Sequence, residues 1–452
     1  MGRATSRIPI ANHAQRFAAA ERLPLAAFAV LMLVLASAGG ASHPDVPAQA
    51  IARGGAALVL CLLIGFARSF DGSRYRSLWL FLAGLAGAVL AQLIPLPEAL
   101  WAGLPGHAAI AERLRDLDLP RGPRPLNLVP DKGLNTLFAL IVPTAMLATL
   151  SCLRSGGEAL LRPLLVVLAI ISALAGIFQA AGVIGPSSLT NENIADYGGI
   201  FANRNHQALF LSIGIAAALF WGLERGTDLR QPRFWYTFAA VITLGLSILL
   251  TGSRFGMVLG LTALVSGVAF GAVGSRDRRA HRGLAVLLSL TFAAALLAAA
   301  VYWGWANGFE RLTTLSAEDD IRFRAVRPVW RLIEAYFPFG SGFGSFDAVF
   351  RMAEPVDLLG DKYLNHAHND FLEFLLEGGA AAACLLLIAL IWIARKARAA
   401  FSDVGASDAR LGLIVLGLIA LASVVDYPMR TPLMMAITVI AGCWLARPLR
   451  VR

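Results

Sequence analysis

An all-α bundle of about twelve membrane-spanning helices is the fold this sequence predicts, on three observations. Hydrophobic residues make up 57% of the chain and charged residues only 15%. Apolar stretches of about 17 to 25 residues recur along nearly the whole length, long enough as helix to cross ~30 Å of hydrocarbon. The arginines between them collect in alternate loops, as the positive-inside rule requires of a polytopic protein. One integral membrane domain over residues 1–452 is therefore expected. The net charge of +10 is scattered through short loops and has no soluble domain to carry it. That sets nucleic acid aside and leaves membrane lipids as the surrounding partner.

The spans are read at about 24–40, 51–67, 78–95, 133–152, 160–181, 207–223, 236–251, 255–274, 284–304, 372–394, 410–427 and 430–446. The first follows a polar, basic leader without a convincing small-residue cleavage pattern, so it is read as a retained span. With the N-terminus in the cytoplasm, that side receives Arg68, Arg74 and Arg76, then Arg154 and Arg162, Arg225, Arg230 and Arg233, Arg276 to Arg282, Arg395 to Arg398, and Arg447. The opposite side receives the longer loops, 96–132, 182–206 and 305–371. Four cysteines, Cys61, Cys152, Cys384 and Cys443, lie in or beside apolar stretches and have no metal-ligand spacing.

The unusual polar residues gather on that opposite side. Asn365-His366-Ala367-His368-Asn369-Asp370-Phe371 ends the largest loop, where a span begins. Histidine is scarce, seven in the chain, so two imidazoles at the mouth of a span point to chemistry at a membrane surface. Phe201-Ala202-Asn203-Arg204-Asn205-His206 ends the second long loop, and Thr251-Gly252-Ser253-Arg254 is a tight turn between two spans. An arginine that near the bilayer costs ~2.5–3.5 kcal/mol on insertion scales unless it faces a polar cavity or a partner. Arg322, Arg324, Arg327 and Arg331 precede a glycine and aromatic turn, Gly340-Ser341-Gly342-Phe343-Gly344-Ser345-Phe346. Arg324, Arg327 and Arg331 would share one helical face. Together these arginines suit a lipid pyrophosphate, because a guanidinium pairs with phosphate oxygens in a fork. A histidine beside them would take a proton from an acceptor hydroxyl.

The pattern from Asn365 to Glu373 with Glu377-Gly378-Gly379, the turn at 340–346, Ser253-Arg254, the segment 201–206 and Val425-Asp426-Tyr427-Pro428-Met429-Arg430 together resemble the O-antigen ligase and polymerase family of bacterial envelope enzymes. The resemblance spans about residues 190 to 432. It implies a GT-C-like bundle of the inner membrane with a large periplasmic loop at 305–371, between spans 9 and 10, carrying part of the active site. It also implies inverting, metal-independent transfer from an undecaprenyl-diphosphate-linked glycan on the periplasmic face, with no cofactor. The acceptor would be a lipid A-core or a growing glycan, as in lipopolysaccharide or exopolysaccharide assembly. By the same resemblance His368 takes the position of the essential histidine, with His366 beside it, and Arg254 and Arg204 those of the pyrophosphate contacts. Arg324, Arg327, Asn203, Asn369 and Arg430 are expected at the substrate. Ala382 departs from the residues found there in lipid A-core ligases, so ligase and polymerase both stay open.

Supporting roles follow from residue type. Asp370 is read as the cap of the helix beginning near Phe371, and Glu373, Glu377 and Asp426 as partners for arginines. Trp330, Tyr336, Phe337, Phe343 and Phe346 are candidates to stack on sugar rings. Three rival readings compete. His366, His368 and Asp370 would bind a metal if alternate residues converged on one ion. Asp116 and Asp118, or Glu318, Asp319 and Asp320, would serve a metal-dependent glycosyltransferase. Twelve spans also suit a transporter or flippase for the same lipid, although no internal repeat is visible.

Overall fold

Every predicted span that falls within the described residues folds as helix. The protein is seen here in a computed structural model that describes residues 10–43, 45–67, 69–120, 122–185, 197–223, 231–271, 317–359, 364–403 and 405–447. The helices that build the bundle are α1 (Ile10–Ala38), α2 (Pro47–Phe66), α3 (Arg76–Gln92), α4 (Pro130–Cys152), α5 (Leu161–Ala180), α6 (Arg204–Leu223), α7 (Pro232–Leu250), α8 (Arg254–Gly271), α9 (Ala317–Tyr336), α10 (Asp370–Ser402), α11 (Ser407–Ser423) and α12 (Pro432–Ala446). Seven of these, α2, α4 to α8 and α10, are long and apolar enough to cross a membrane. The predicted span at 284–304 lies outside the described residues, and α9, which falls in the stretch expected to be the large loop, is not among these seven.

Proline opens α2, α4, α7 and α12, where its fixed φ suits the first turn and its missing N–H has no partner to lose. Inside α4 the same residue interrupts. Pro143 cannot donate to the carbonyl one turn back, and α4 accordingly divides into Pro130–Ala139 and Ile141–Cys152 around Leu140.

The centre of the bundle is α6, 94% buried in its apolar window, with α5, α7, α8 and α11 around it. Lipid tails are as apolar as leucine, so close packing rather than water exclusion must hold such a helix in place. Small residues permit it. A Cβ at Gly214 would sit 2.5 Å from Ala169 of α5, and one at Gly256 of α8 would sit 2.4 Å from Ala208.

The two ends of the bundle differ in how they are tied. At one end Glu158 accepts from Arg74 and from the Tyr75 hydroxyl, and pairs with Arg447 at 2.9 Å. Asp408 pairs there with Arg162 at 2.6 Å and with Arg447. These contacts join the segments before α3, before α5, at the start of α11 and after α12. The opposite end carries the glycine-rich turn and the histidine loop.

At that end α10 breaks at Gly379, where φ is 54° and ψ is −134°. The break leaves carbonyls without helical partners, and the turn at 340–346 supplies donors. Ser341 N–H donates to Leu376 O, and Gly342 N–H and the Gln92 amide both donate to Glu377 O. Ala380 N–H donates in return to Pro338 O. A Cβ at Gly379 would lie 2.3 Å from Pro338 O and 2.6 Å from Gly340 N. We expect Gly379→Ala to lower stability by at least ~1–3 kcal/mol, the usual cost of forcing a side chain into such a backbone region. An unchanged melting temperature in detergent would show that the break tolerates a side chain.

Candidate active site

Two carboxylates, Glu373 and Asp426, face the imidazoles of the histidine loop. Asn369, not Asp370, caps α10: its side chain accepts from Phe371 N–H and Leu372 N–H, both at 3.0 Å. That corrects the role expected of Asp370. Asp370 is buried instead, accepting from Ser423 Oγ at 2.9 Å and Met429 N–H at 3.1 Å, with Arg430 Nε 3.7 Å away. An asparagine one position earlier suffices as a cap because its amide oxygen reaches the same free N–H groups. The aspartate is thereby left to join α10 to the segment between α11 and α12.

His366 Nδ1 lies 2.8 Å from Glu373 Oε1, and the other oxygen of Glu373 accepts from Ala367 N–H. His368 Nδ1 faces Asp426 Oδ1 at 3.6 Å. His366, His368 and Asp370 therefore turn toward three different partners, and the convergence a metal would need is not formed. Among the described residues no group of three or more His, Cys, Asp and Glu is arranged to hold a metal ion. Asp116 and Asp118 are exposed at the end of a short helix, Ala108–Asp116, and Glu318, Asp319 and Asp320 lie outside the residues whose side chains are described.

Asp426 is the hub of the site. Its Oδ2 accepts from Asn205 at 2.8 Å and Asn203 at 3.4 Å, and its Oδ1 from Tyr427 N–H at 3.0 Å. His206 Nε2 approaches the same Oδ1 at 3.7 Å. The partners expected of this carboxylate were arginines, and the structure gives it histidines and asparagines. Burial opposes its charge, yet His206 and His368 beside it hold it well below the usual carboxylate range. Its ionised form thus contributes to folding in full above about pH 4, and that contribution is lost only as pH falls through the lower folded value.

The ring of Tyr427 packs among all three imidazoles, with centroids 4.5 Å from His366, 4.9 Å from His368 and 5.5 Å from His206. Burial, then the charge of Asp426, raises its phenol, against Arg322 and a hydrogen bond with Ser42. His206, Asp426 and Tyr427 were not among the candidate catalytic or binding residues. The available signal was the presence of a further scarce histidine beside Arg204.

The arginines divide into two groups. Arg204 opens α6 and is half-buried, and Arg254 opens α8 and is exposed. The segments that carry them are joined, because Ser253 Oγ donates to Asn205 Oδ1 while accepting from Gly256 N–H at the start of α8. Arg204 and Arg254 thus each neighbour a residue of the Asp426 network. Arg430 is half-buried, and its Nη2 lies 3.0 Å from Glu373 and 3.3 Å from Glu377. Its guanidinium joins α10 to the segment before α12. On α9, Arg324 and Arg327 are exposed, turned from the core face of Ala325, Val329, Leu332 and Ile333. Arg322, on the core side of that helix, is the one whose charge reaches Tyr427.

The aromatic candidates separate by burial. Trp330 and Phe337 are about half exposed, at 49% and 52%, whereas Tyr336, Phe343 and Phe346 are core residues. Phe343 and Phe346 are buried because the turn that carries them is pinned to α10, which corrects their expected place at a sugar surface. Glu377 accepts from Phe346 N–H at 3.3 Å, and Asn127 donates to Phe343 O.

Comparison with known proteins adds one finding. Residues 238–387 match the family model described as O-antigen ligase. The match runs from α7 to the first half of α10, so it includes Ser253-Arg254, the glycine-rich turn and the histidine loop, but not His206 or Asp426. A comparison with curated proteins found no match.

Proposed function

We propose that this chain, whose residues 238–387 match the family model described as O-antigen ligase, transfers a glycan from a polyprenyl diphosphate to an acceptor hydroxyl at the end of the bundle that carries Asp426. The observation behind this is the meeting, at one end of the bundle, of His368, the Asp426 carboxylate, and the segments that begin with Arg204 and Arg254. In this reading the site faces the periplasm, because Arg74, Arg162 and Arg447 gather at the other end.

His368 turns Nδ1 to Asp426, so Nε2 is the nitrogen left to act as base. It takes the proton of the acceptor hydroxyl as that oxygen attacks the anomeric carbon from the face opposite the diphosphate, inverting the centre. The bond between that carbon and the diphosphate oxygen breaks, and its electron pair leaves with the polyprenyl diphosphate. Arg204 and Arg254 pair with the charge that develops there. Asp426 balances the imidazolium. The gap of 3.6 Å exceeds a hydrogen bond, and such contacts commonly tighten once substrate is bound. Two guanidinium groups supply the positive charge that the leaving group needs, so the reading invokes no metal.

The test is reconstituted protein given an undecaprenyl-diphosphate oligosaccharide, alone and with lipid A-core, in EDTA, with products resolved by mass. Longer lipid-linked glycans from donor alone identify a polymerase, and glycan on lipid A only when it is added identifies a ligase. Loss of either product on adding EDTA would overturn the metal-free mechanism. No product, together with donor crossing the bilayer of liposomes, would replace this reading with a transporter.

A further inference from the structure

We propose that His206 is a positioning residue that sets how readily His368 takes and holds a proton, acting through the Asp426 oxygen that both imidazoles face. The proposal rests on His368 being the base. His206 is the third residue of α6, and its residue exposure is 1%. A buried polar side chain ordinarily finds a hydrogen bond, because leaving one unmade is costly. Neither ring nitrogen of His206 has a hydrogen-bond partner among the described residues. Its Nε2 nevertheless stands 3.7 Å from Asp426 Oδ1, and His368 Nδ1 reaches the same atom at 3.6 Å from another loop.

The rest of the carboxylate is already engaged. Oδ2 holds Asn205 and Asn203, and Oδ1 also accepts Tyr427 N–H. One oxygen must therefore serve two imidazoles. If His206 directs an N–H at Oδ1, it draws charge density away from His368. If His206 carries a proton on both nitrogens, its positive charge repels one on His368. Either state makes protonation of His368 less favourable, so the sign does not depend on which one is present. The Tyr427 ring touches both imidazoles and leaves the carboxylate oxygen as their common polar atom.

The other charged and titratable groups around this pair belong to five elements. Tyr427 and Asp426 come from the segment before α12, and His366 with Glu373 from the start of α10. Arg322 comes from α9, and Arg204 and Arg254 head α6 and α8. All stay in place when His206 alone is replaced, so a change in pH dependence reports on that imidazole.

The experiment measures kcat and KM for glycan transfer against pH in the reconstituted protein for wild type, His206→Leu, His206→Gln and His368→Asn. His206→Leu removes both the N–H and any charge, and should move the acid limb of kcat upward by about half to one pH unit. On the acid side the rate then falls by about 3- to 10-fold, with the alkaline plateau and the donor KM retained. His206→Gln keeps a donor and should lie between wild type and His206→Leu. Should His206→Leu fail to insert, His206→Met, flexible and equally without an N–H, carries the same expectation. An acid limb left at its wild-type position in the leucine or methionine variant overturns the proposal. If His368→Asn retains transfer with an unchanged limb, the base reading itself has failed. If His368→Asn abolishes transfer while the limb in the His206 variant does not move, only the role of His206 is lost.

Discussion

Replacing His368 should abolish glycan transfer while the protein still inserts and folds, and the backbone decides which replacement makes that test clean. A general base contributes about 10²- to 10⁴-fold to rate, and a loss of that order is expected. His368 has φ of +49°, in the left-handed region that alanine enters at a cost. His368→Ala therefore adds backbone strain to the loss of the imidazole. Asparagine visits the same region readily and cannot act as a base at neutral pH, so His368→Asn separates the two effects. The asparagine variant should keep the wild-type melting temperature in detergent and lose transfer of an undecaprenyl-diphosphate oligosaccharide. Transfer at the wild-type rate would remove His368 from the chemistry. If only the alanine variant were inactive, the residue would matter for loop conformation rather than for proton transfer.

Replacing Arg430 with leucine should be the most destabilising single change in the site. Its guanidinium faces Glu373 at 3.0 Å, Glu377 at 3.3 Å and Asp370 at 3.7 Å, and all three carboxylates are buried. Removing one partner from a buried ionic group strands the remaining charge, at a cost of about 3–5 kcal/mol. Here three carboxylates would be left on about two turns of helix. The loss should spread to the histidine loop, because Glu373 also holds His366 and Ala367 N–H. Combining Arg430→Leu with Glu373→Gln and Glu377→Gln should recover part of the stability, since neutral amides need no countercharge. The check is thermal unfolding of the purified variants in detergent. A single variant as stable as wild type would mean that water or lipid headgroups already neutralise the cluster.

Most of the bundle could be read along the chain because a membrane span is a local property: about twenty apolar residues suffice, whatever packs against them. Thus α5 to α8 stand close to where the apolar runs put them. The chemistry-bearing motifs were local too, since Asn365 to Asp370, Ser253-Arg254 and Asn203 to His206 each stand out as polar residues beside a span. What each polar residue faces was decided only by the fold. Asp426 is separated from His368 by the whole of α10 and α11, and from His206 by about half the chain. No sequence spacing could pair them. Arg430 was expected at the substrate, and only the fold brings three carboxylates of one helix around it; Phe343 and Phe346 were candidates to stack on sugar rings, and only the break at Gly379 draws their turn into the core. Span existence, the motifs and their chemical type were fixed by composition and local order. Which carboxylate meets which imidazole depends on distances between segments remote in sequence, and packing alone sets those.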